Sequence, residues 1–461
     1  MDQQQIEKYL DGSLSRTPGT KIQYGHPSPR YWEKSDLDLP DLLAPMRPER
    51  QLSLYLHIPF CVPTEPGACG FCLFAREDFE SYPLVRRYVD SLVREIERVA
   101  SLTGRRKVDC VYYGGGTPNL LRGPEIKRIF EAVATSFIVT DDTEITFEGY
   151  PPLFTQERLE ALAEVGCNRI SLGIQTLQPD LLPESGRTQD LAQIESTLRF
   201  AADHGMRANV DLITGWFGQT PESIIKDVDT LLDWGATGLV NHPLMIVGDS
   251  DFARRAEQLP DVPAQARTFD AARIRLLERG FRMDSYTDYT APDQRCVRYL
   301  ELYRDILNTD RIGVGYGANS LIAGTEFAPG STWANLRSIG AWQAGVDEGR
   351  TVIDDRYAFS ADDLKVLYLL KGLEGFPWLD AADYSRRFGG DLKRDYAPFW
   401  EAFEARGWLR WEGDSPRLRG DGIFYTATVQ RVLAEPRVQQ LRTSRGMGAR
   451  SRNPLPVVVR G

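Results

Sequence analysis

The sequence predicts an α/β protein, with a parallel sheet covered by helices and a smaller α+β domain after it. Three observations carry this. From residue 52 to about 245, apolar runs of strand length alternate with amphipathic helical stretches, giving six βα units in a row. The polar features fall at or just past the C-terminal ends of those strands, where the βα loops of a barrel converge. Beyond about residue 358 the texture changes to helical stretches and a short strand pair.

A length of 461 residues exceeds one ordinary core, so two or three domains are expected. Residues 1–50 are polar and rich in Pro and Arg, with one short helical signal at Ile6–Leu10, and read as an extended arm. The barrel domain with its extension is assigned to 51–345. Its strands are Leu52–Ile58, Val108–Tyr113, Glu144–Glu148, Arg169–Ile174, Asn209–Ile213 and Gly238–His242. The clearest helix between them places Leu84, Tyr88, Leu92 and Ile96 on one face. Both an open doubly wound sheet and a barrel satisfy this pattern. A helix at Ala264–Arg279, a further strand and a glycine-rich loop follow. The C-terminal domain, 358–435, has helices at 360–373, 380–388 and 391–406. A strand pair around Trp408–Trp411 and Arg417–Leu418 and a last helix from about 422 complete a winged-helix-like pattern. Residues 436–461 hold six arginines and no acidic residue, the composition of a disordered basic tail.

Composition narrows the setting. No basic and apolar leader opens the chain, and no run approaches ~18 apolar residues, so neither a signal peptide nor a membrane span is expected. Six cysteines, three of them clustered, suit a reducing cytoplasm better than a disulfide scaffold. A net charge of −10 argues against a nucleic-acid partner.

Cys61, Cys69 and Cys72 lie within twelve residues, directly after the first strand. A 4Fe–4S cube held by three thiolates keeps one iron open for another ligand. Zinc is the alternative, with His57 the only nearby histidine for a fourth position. Cys110, Cys167 and Cys296 read as buried structural thiols. The turn Gly114–Gly115–Gly116–Thr117–Pro118 lets backbone N–H groups approach a charged ligand, although many glycine turns are plain connectors. Glu148 ends a strand where a carboxylate suits an ammonium or sulfonium, or where it sits solvated on the rim. Gln175 and Asp211 have apolar neighbours, so they need polar partners that ribose hydroxyls could supply. Arg187 could pair bidentately with a carboxylate, or stand as a solvated loop residue. The glycine-rich stretch 312–320 is either a second ligand loop or a barrel-closing turn.

Taken together, YLHIPFC…CGFC, GGGTP, EITFE, NRISLGIQT, SGRTQD and NVDLITG resemble, in order and spacing, radical S-adenosylmethionine (SAM) enzymes of the HemN-like, oxygen-independent coproporphyrinogen dehydrogenase type. The similarity runs from about 20 to 435. It implies a partial (β/α)6 TIM-like barrel, a 4Fe–4S cluster on Cys61, Cys69 and Cys72, and SAM beside Tyr55. Gly115, Gly116 and Thr117 would contact the methionine part, Glu148 its ammonium, Arg187 its carboxylate, and Gln175 and Asp211 the ribose. A second SAM would lie near Phe71, Pro243, Leu244, Gly315 and Gly317. A small-molecule substrate and a flavodoxin- or ferredoxin-type electron donor are the partners the resemblance implies.

Three departures shape the functional expectation. Seven residues separate Cys61 from Cys69, where most members have three. Phe74 replaces a further cysteine found in the porphyrinogen enzymes, and the Cys-x-His-Asn-x-x-Tyr-Trp stretch of the haem chaperones becomes CVRYLELY. The expected activity is therefore that of the class C branch, in which a second SAM methylates or cyclopropanates an sp2 carbon of a natural product. Tetrapyrrole chemistry (coproporphyrinogen decarboxylation or anaerobic haem opening) is the alternative, and a non-catalytic haem or cluster carrier the third possibility.

Overall fold

A computed structural model describes residues 1–14, 25–65, 69–72, 74–246, 250–325 and 329–446. Six strands form the parallel heart of the molecule: β1 (Gln51–Ile58), β2 (Cys110–Gly115), β3 (Glu144–Gly149), β4 (Arg169–Gln175), β5 (Arg207–Thr214) and β6 (Gly238–Pro243). Each agrees with its expected counterpart to within about two residues at either end. The helices between them are α1 (Tyr82–Thr103), α2 (Gly123–Ser136), α3 (Gln156–Glu164), α4 (Leu191–Asp203) and α5 (Pro221–Asp233), and α6 (Val262–Glu278) follows β6.

Pairing is parallel and sequential from β1 to β6, as right-handed βαβ units require. The sheet nevertheless reaches thirteen strands. Strand Thr309–Val314 adds in parallel on the far side of β1, so part of the expected glycine-rich loop is extended backbone. Antiparallel strands continue that edge through Asn319–Gly324, Pro329–Asn335 and Ile353–Ala358, while Asp288–Thr290 flanks β6.

Leu52, Leu54, Leu56 and Ile58 alternate toward the outer helices, where Tyr88, Leu92 and Ile96 of α1 are buried with them. The opposite residues of each strand face inward. Register places Tyr55 beside Tyr112, Tyr112 beside Thr146, Glu148 beside Ser171, and Gly173 beside Asp211. Side chains repeat every second residue, so Tyr55, Tyr112, Glu148, Asp211 and His242 all point to the inner face.

Beyond the sheet, helices Ala361–Glu374, Ala381–Phe388 and Ala397–Ala405, a ribbon of Leu409–Glu412 with Ser415–Leu418, and helix Thr426–Ser444 build a second core. The N-terminal segment is not an extended arm. Its helix Gln3–Leu14 buries Ile6 and Leu10 in that core, and Tyr31 joins them. Residues 436–444 also depart from the expected tail, because helix Thr426–Ser444 buries Val438 and Leu441; 447–461 lie outside the described residues. Asp363 ties arm to domain, accepting from His26 Nε2 at 3.1 Å and Arg437 Nε at 2.8 Å. Burial opposes ionisation of Asp363, but these bonds and those from Ser360 outweigh it and hold the carboxyl well below the usual range. Among the described residues, no helix is long and apolar enough to cross a membrane.

Candidate active site

The cysteine loop starts where β1 ends. Phe60–Cys61 pairs with Glu77–Asp78, and the Phe79 N–H donates to the Cys61 carbonyl at 2.8 Å. Both ends of the loop are thereby stapled together, which explains how a longer Cys61–Cys69 gap is accommodated. Residues 66–68 of that insertion, including Gly67, lie outside the described residues. Cys69 has a positive φ of 56° and donates its N–H to Thr64 Oγ1 at 3.2 Å.

All six cysteines are free thiols, and Cys110, Cys167 and Cys296 are buried as expected of structural thiols. Burial pushes the Cys72 thiol up to about 12 and raises Cys61 too, while Arg76 counters both. The three loop thiols lie within electrostatic reach of one another. Among the described residues, however, no trio of ligating side chains is gathered as a single metal ion would require. Three thiols on one loop, close enough to influence one another, are a donor set that fits a cube with one open iron. His57 does not complete a zinc site. Its Nε2–H donates to the Ala75 carbonyl at 3.0 Å, and Tyr55 Oη lies 3.2 Å from Nδ1, so the neutral ring has both nitrogens engaged. Burial lowers its pKa to about 4.

The glycine turn after β2 is shaped by the same histidine. Gly115 has φ of +117°, and a Cβ there would meet the His57 ring at 2.8 Å. Thr117, buried beside it, directs Oγ1 to Cys61 Sγ at 3.5 Å. Gly116 lies directly over Pro59, so this turn packs on the cysteine strand. Thr117 thus stands against a thiol of the loop, and Gly115 and Gly116 against the strand that leads into it.

Glu148 is held up at about 8, first by burial and then by the charge of Asp211, although Tyr112 and Arg169 oppose the shift. Asp211 is itself raised by burial and receives Asn209 Nδ2–H at 2.9 Å. Gln175 has a positive φ of 71° where the β4–β5 register slips, which turns its side chain out of strand alternation. Arg187 is buried rather than solvated. Its Nη1 points to Cys69 Sγ at 3.9 Å, its Nη2 donates to the Gly173 carbonyl, and its guanidinium lies 4.4 Å from the Tyr150 ring centre.

The residues expected at a second SAM fall into two groups. Phe71 and Leu244 share an apolar cluster with Trp216 and Phe252, next to Pro243 at the end of β6. Gly315 and Gly317 lie beyond the opposite end of the parallel row, beside β1. Glu95 of α1 fixes that turn, accepting from Gly315 N at 2.8 Å, Asn335 Nδ2 at 2.8 Å and Trp342 Nε1 at 3.0 Å.

Four site residues, His242, Arg76, Tyr150 and Asn119, escaped the sequence reading. His242 reaches the inner face beside Asp211, and counting strand register from Asp211 would have found it. Arg76 and Tyr150 have no local signal, since only folding brings them to the thiols and to Arg187.

Residues 55–231 match the Radical SAM superfamily model. The chain carries a radical SAM domain, whose family takes a 4Fe–4S cluster and SAM. The fold is HemN-like: coproporphyrinogen III oxidase (HemN) from Escherichia coli superposes with a TM-score of 0.76. That match has 23% identity and covers 90% of this chain and 96% of the other. Heme chaperone HemW of Mycobacterium tuberculosis is 27% identical over 420 residues, 87% of this chain and 99% of its own length. Anaerobilin synthase of Escherichia coli O157:H7 is 28% identical over 311 residues, 65% and 66% of the two chains. These relatives overturn the expectation of class C methylation or cyclopropanation, because their names point to tetrapyrroles and not to natural-product alkylation. Phe74 and the missing chaperone motif exclude particular members on local grounds, but similarity spread over most of the chain outweighs two local departures. The coarser statement stands: a radical SAM domain in a HemN-like fold.

Proposed function

We propose that this protein performs radical SAM chemistry on a tetrapyrrole. The observation that carries the reading is similarity along most of the chain to proteins named for haem, anaerobilin and coproporphyrinogen, around a site with three uncommitted thiols. When bound, the cluster and SAM supply the reductive cleavage that generates a carbon radical. The chain's own residues bind and orient. Cys61, Cys69 and Cys72 hold the cluster; Gly115, Gly116 and Thr117 seat the methionine part; Glu148 takes its ammonium, Arg187 its carboxylate, and Gln175 and Asp211 the ribose. Tyr55 stands beside them. A flavodoxin- or ferredoxin-type donor in the cytoplasm supplies the electron.

The domains divide this work: 51–345 houses the cofactors, and the C-terminal domain with the docked N-terminal helix covers the substrate side. The test is anaerobic reconstitution with iron and sulfide, followed by SAM and a reductant, with and without haem or coproporphyrinogen III. Tetrapyrrole-dependent 5′-deoxyadenosine supports the proposal. Haem binding with no SAM cleavage favours a carrier, a reading supported by the chaperone relative that matches over 99% of its length. Failure to bind either tetrapyrrole sinks both readings.

A further inference from the structure

Asn119, Tyr150 and Arg187 close a ring of contacts around the thiols that uses three separate βα loops. Asn119, fully buried just past the glycine turn, clamps the Tyr150 backbone from both sides. Its Nδ2–H donates to the Tyr150 carbonyl at 2.9 Å, and its Oδ1 accepts the Tyr150 N–H at 3.0 Å. A Cβ on Gly149 would strike the Asn119 amide at 2.4 Å, so the clamp closes tightly on that segment. From there the Tyr150 side chain reaches the loop after β4. Its hydroxyl accepts the Thr188 N–H at 3.0 Å and donates to the Thr188 carbonyl. Its ring carries the Arg187 guanidinium at 4.4 Å. Arg187 then points to Cys69, and Thr117 on the first loop to Cys61.

Arg187 has a buried Nε with no partner among the described residues. Buried guanidinium N–H groups require acceptors, so this arginine is held ready for an anion. A long, flexible side chain binds well only when its rotamer entropy is removed in advance. The hydroxyl bonds fix the backbone on the C-terminal side of Arg187, and the ring fixes its head group.

We infer that Tyr150 is a positioning residue that pre-orients Arg187 for the carboxylate of SAM. This rests on the assignment of Arg187 to that carboxylate. Tyr150→Phe removes the two hydroxyl bonds and keeps the stacked ring, whereas Tyr150→Leu removes both. With the reconstituted protein, SAM affinity is measured by equilibrium binding and by the change that SAM makes in the electron paramagnetic resonance of the reduced cluster. Iron content and melting temperature serve as controls. Tyr150→Leu should weaken SAM binding roughly ten-fold and Tyr150→Phe by less, with KM for SAM rising and kcat little changed.

In an Arg187→Met background, Tyr150→Leu should cost nothing further, because its effect passes through the arginine. An equal loss in both backgrounds overturns the inference, as does a wild-type affinity in Tyr150→Leu. Unchanged SAM affinity in Arg187→Met alone overturns the assignment of the arginine, and this inference with it.

Discussion

At Glu148, burial and the neighbouring Asp211 push the carboxyl up to about 8, so near neutral pH it keeps its proton. An ammonium placed against it favours the ionised form. Ligand binding must then expel that proton, and affinity for SAM should rise with pH from about 6 until it levels near 8. Glu148→Gln should bind weakly with no such slope; a flat wild-type profile would show that Glu148 does not meet the ammonium. The thiols allow a second comparison. Alanine at Cys61, Cys69 or Cys72 should abolish stoichiometric iron after reconstitution, whereas alanine at buried Cys110 should leave iron intact and cost about 1 kcal/mol of stability. Equal iron loss in both sets would remove the cluster assignment. The thiols, glycine turn and Glu148 were legible as candidates because each stands at or just past a strand end, and Arg187 through its SGRTQD motif. Asn119 and Tyr150 were not, since their meaning lies in a contact made across 31 residues.

On the scale of elements, α1 does more than cover the sheet. Its Glu95 is pushed up to about 7 by burial, even though three N–H donors favour the carboxylate. Its neighbour Tyr88 donates to the His57 carbonyl at 2.6 Å and accepts the Tyr316 N–H at 3.1 Å, linking the Gly315 turn to β1. Glu95→Ala would leave three buried donors unpaired, and the expected cost is about 3 kcal/mol or more in urea unfolding. A loss below ~1 kcal/mol would mean the turn holds without it. A folded-state pKa above the unfolded value means that the folded protein binds the extra proton. Wild-type stability should therefore fall, through this group, as pH rises from about 4.5 to 7. The order of β1 to β6 was readable locally, because strands buried on both faces read as apolar runs set between helical stretches. The thirteen-strand extent was not, because its added strands Asn319–Gly324 and Pro329–Asn335 pair with partners chosen by the fold.

Across the whole molecule, the N-terminal helix belongs to the second core, where a purely local reading leaves it as an arm. Ile6 and Leu10 are fully buried against the C-terminal helices, and Arg406 holds Glu7 and Asp11 at the edge of that contact. Burying each apolar side chain contributes about 1.5–3 kcal/mol, an upper estimate. Deleting residues 1–14 should therefore lower the melting temperature and expose the C-terminal region to protease first. A truncated protein that melts and digests like the full chain would count against this docking. By itself the sequence determined the βα order, the thiol triplet and the radical SAM class, because short-range periodicity and closely spaced motifs encode them. It misdirected the reaction, since two local departures carried too much weight against resemblance along the chain. Only the tertiary structure decided how Tyr150, Asn119, Arg76 and His242 join the site. Those residues act through side-chain contacts between loops that are distant in sequence, and such contacts exist only once the strands are in register.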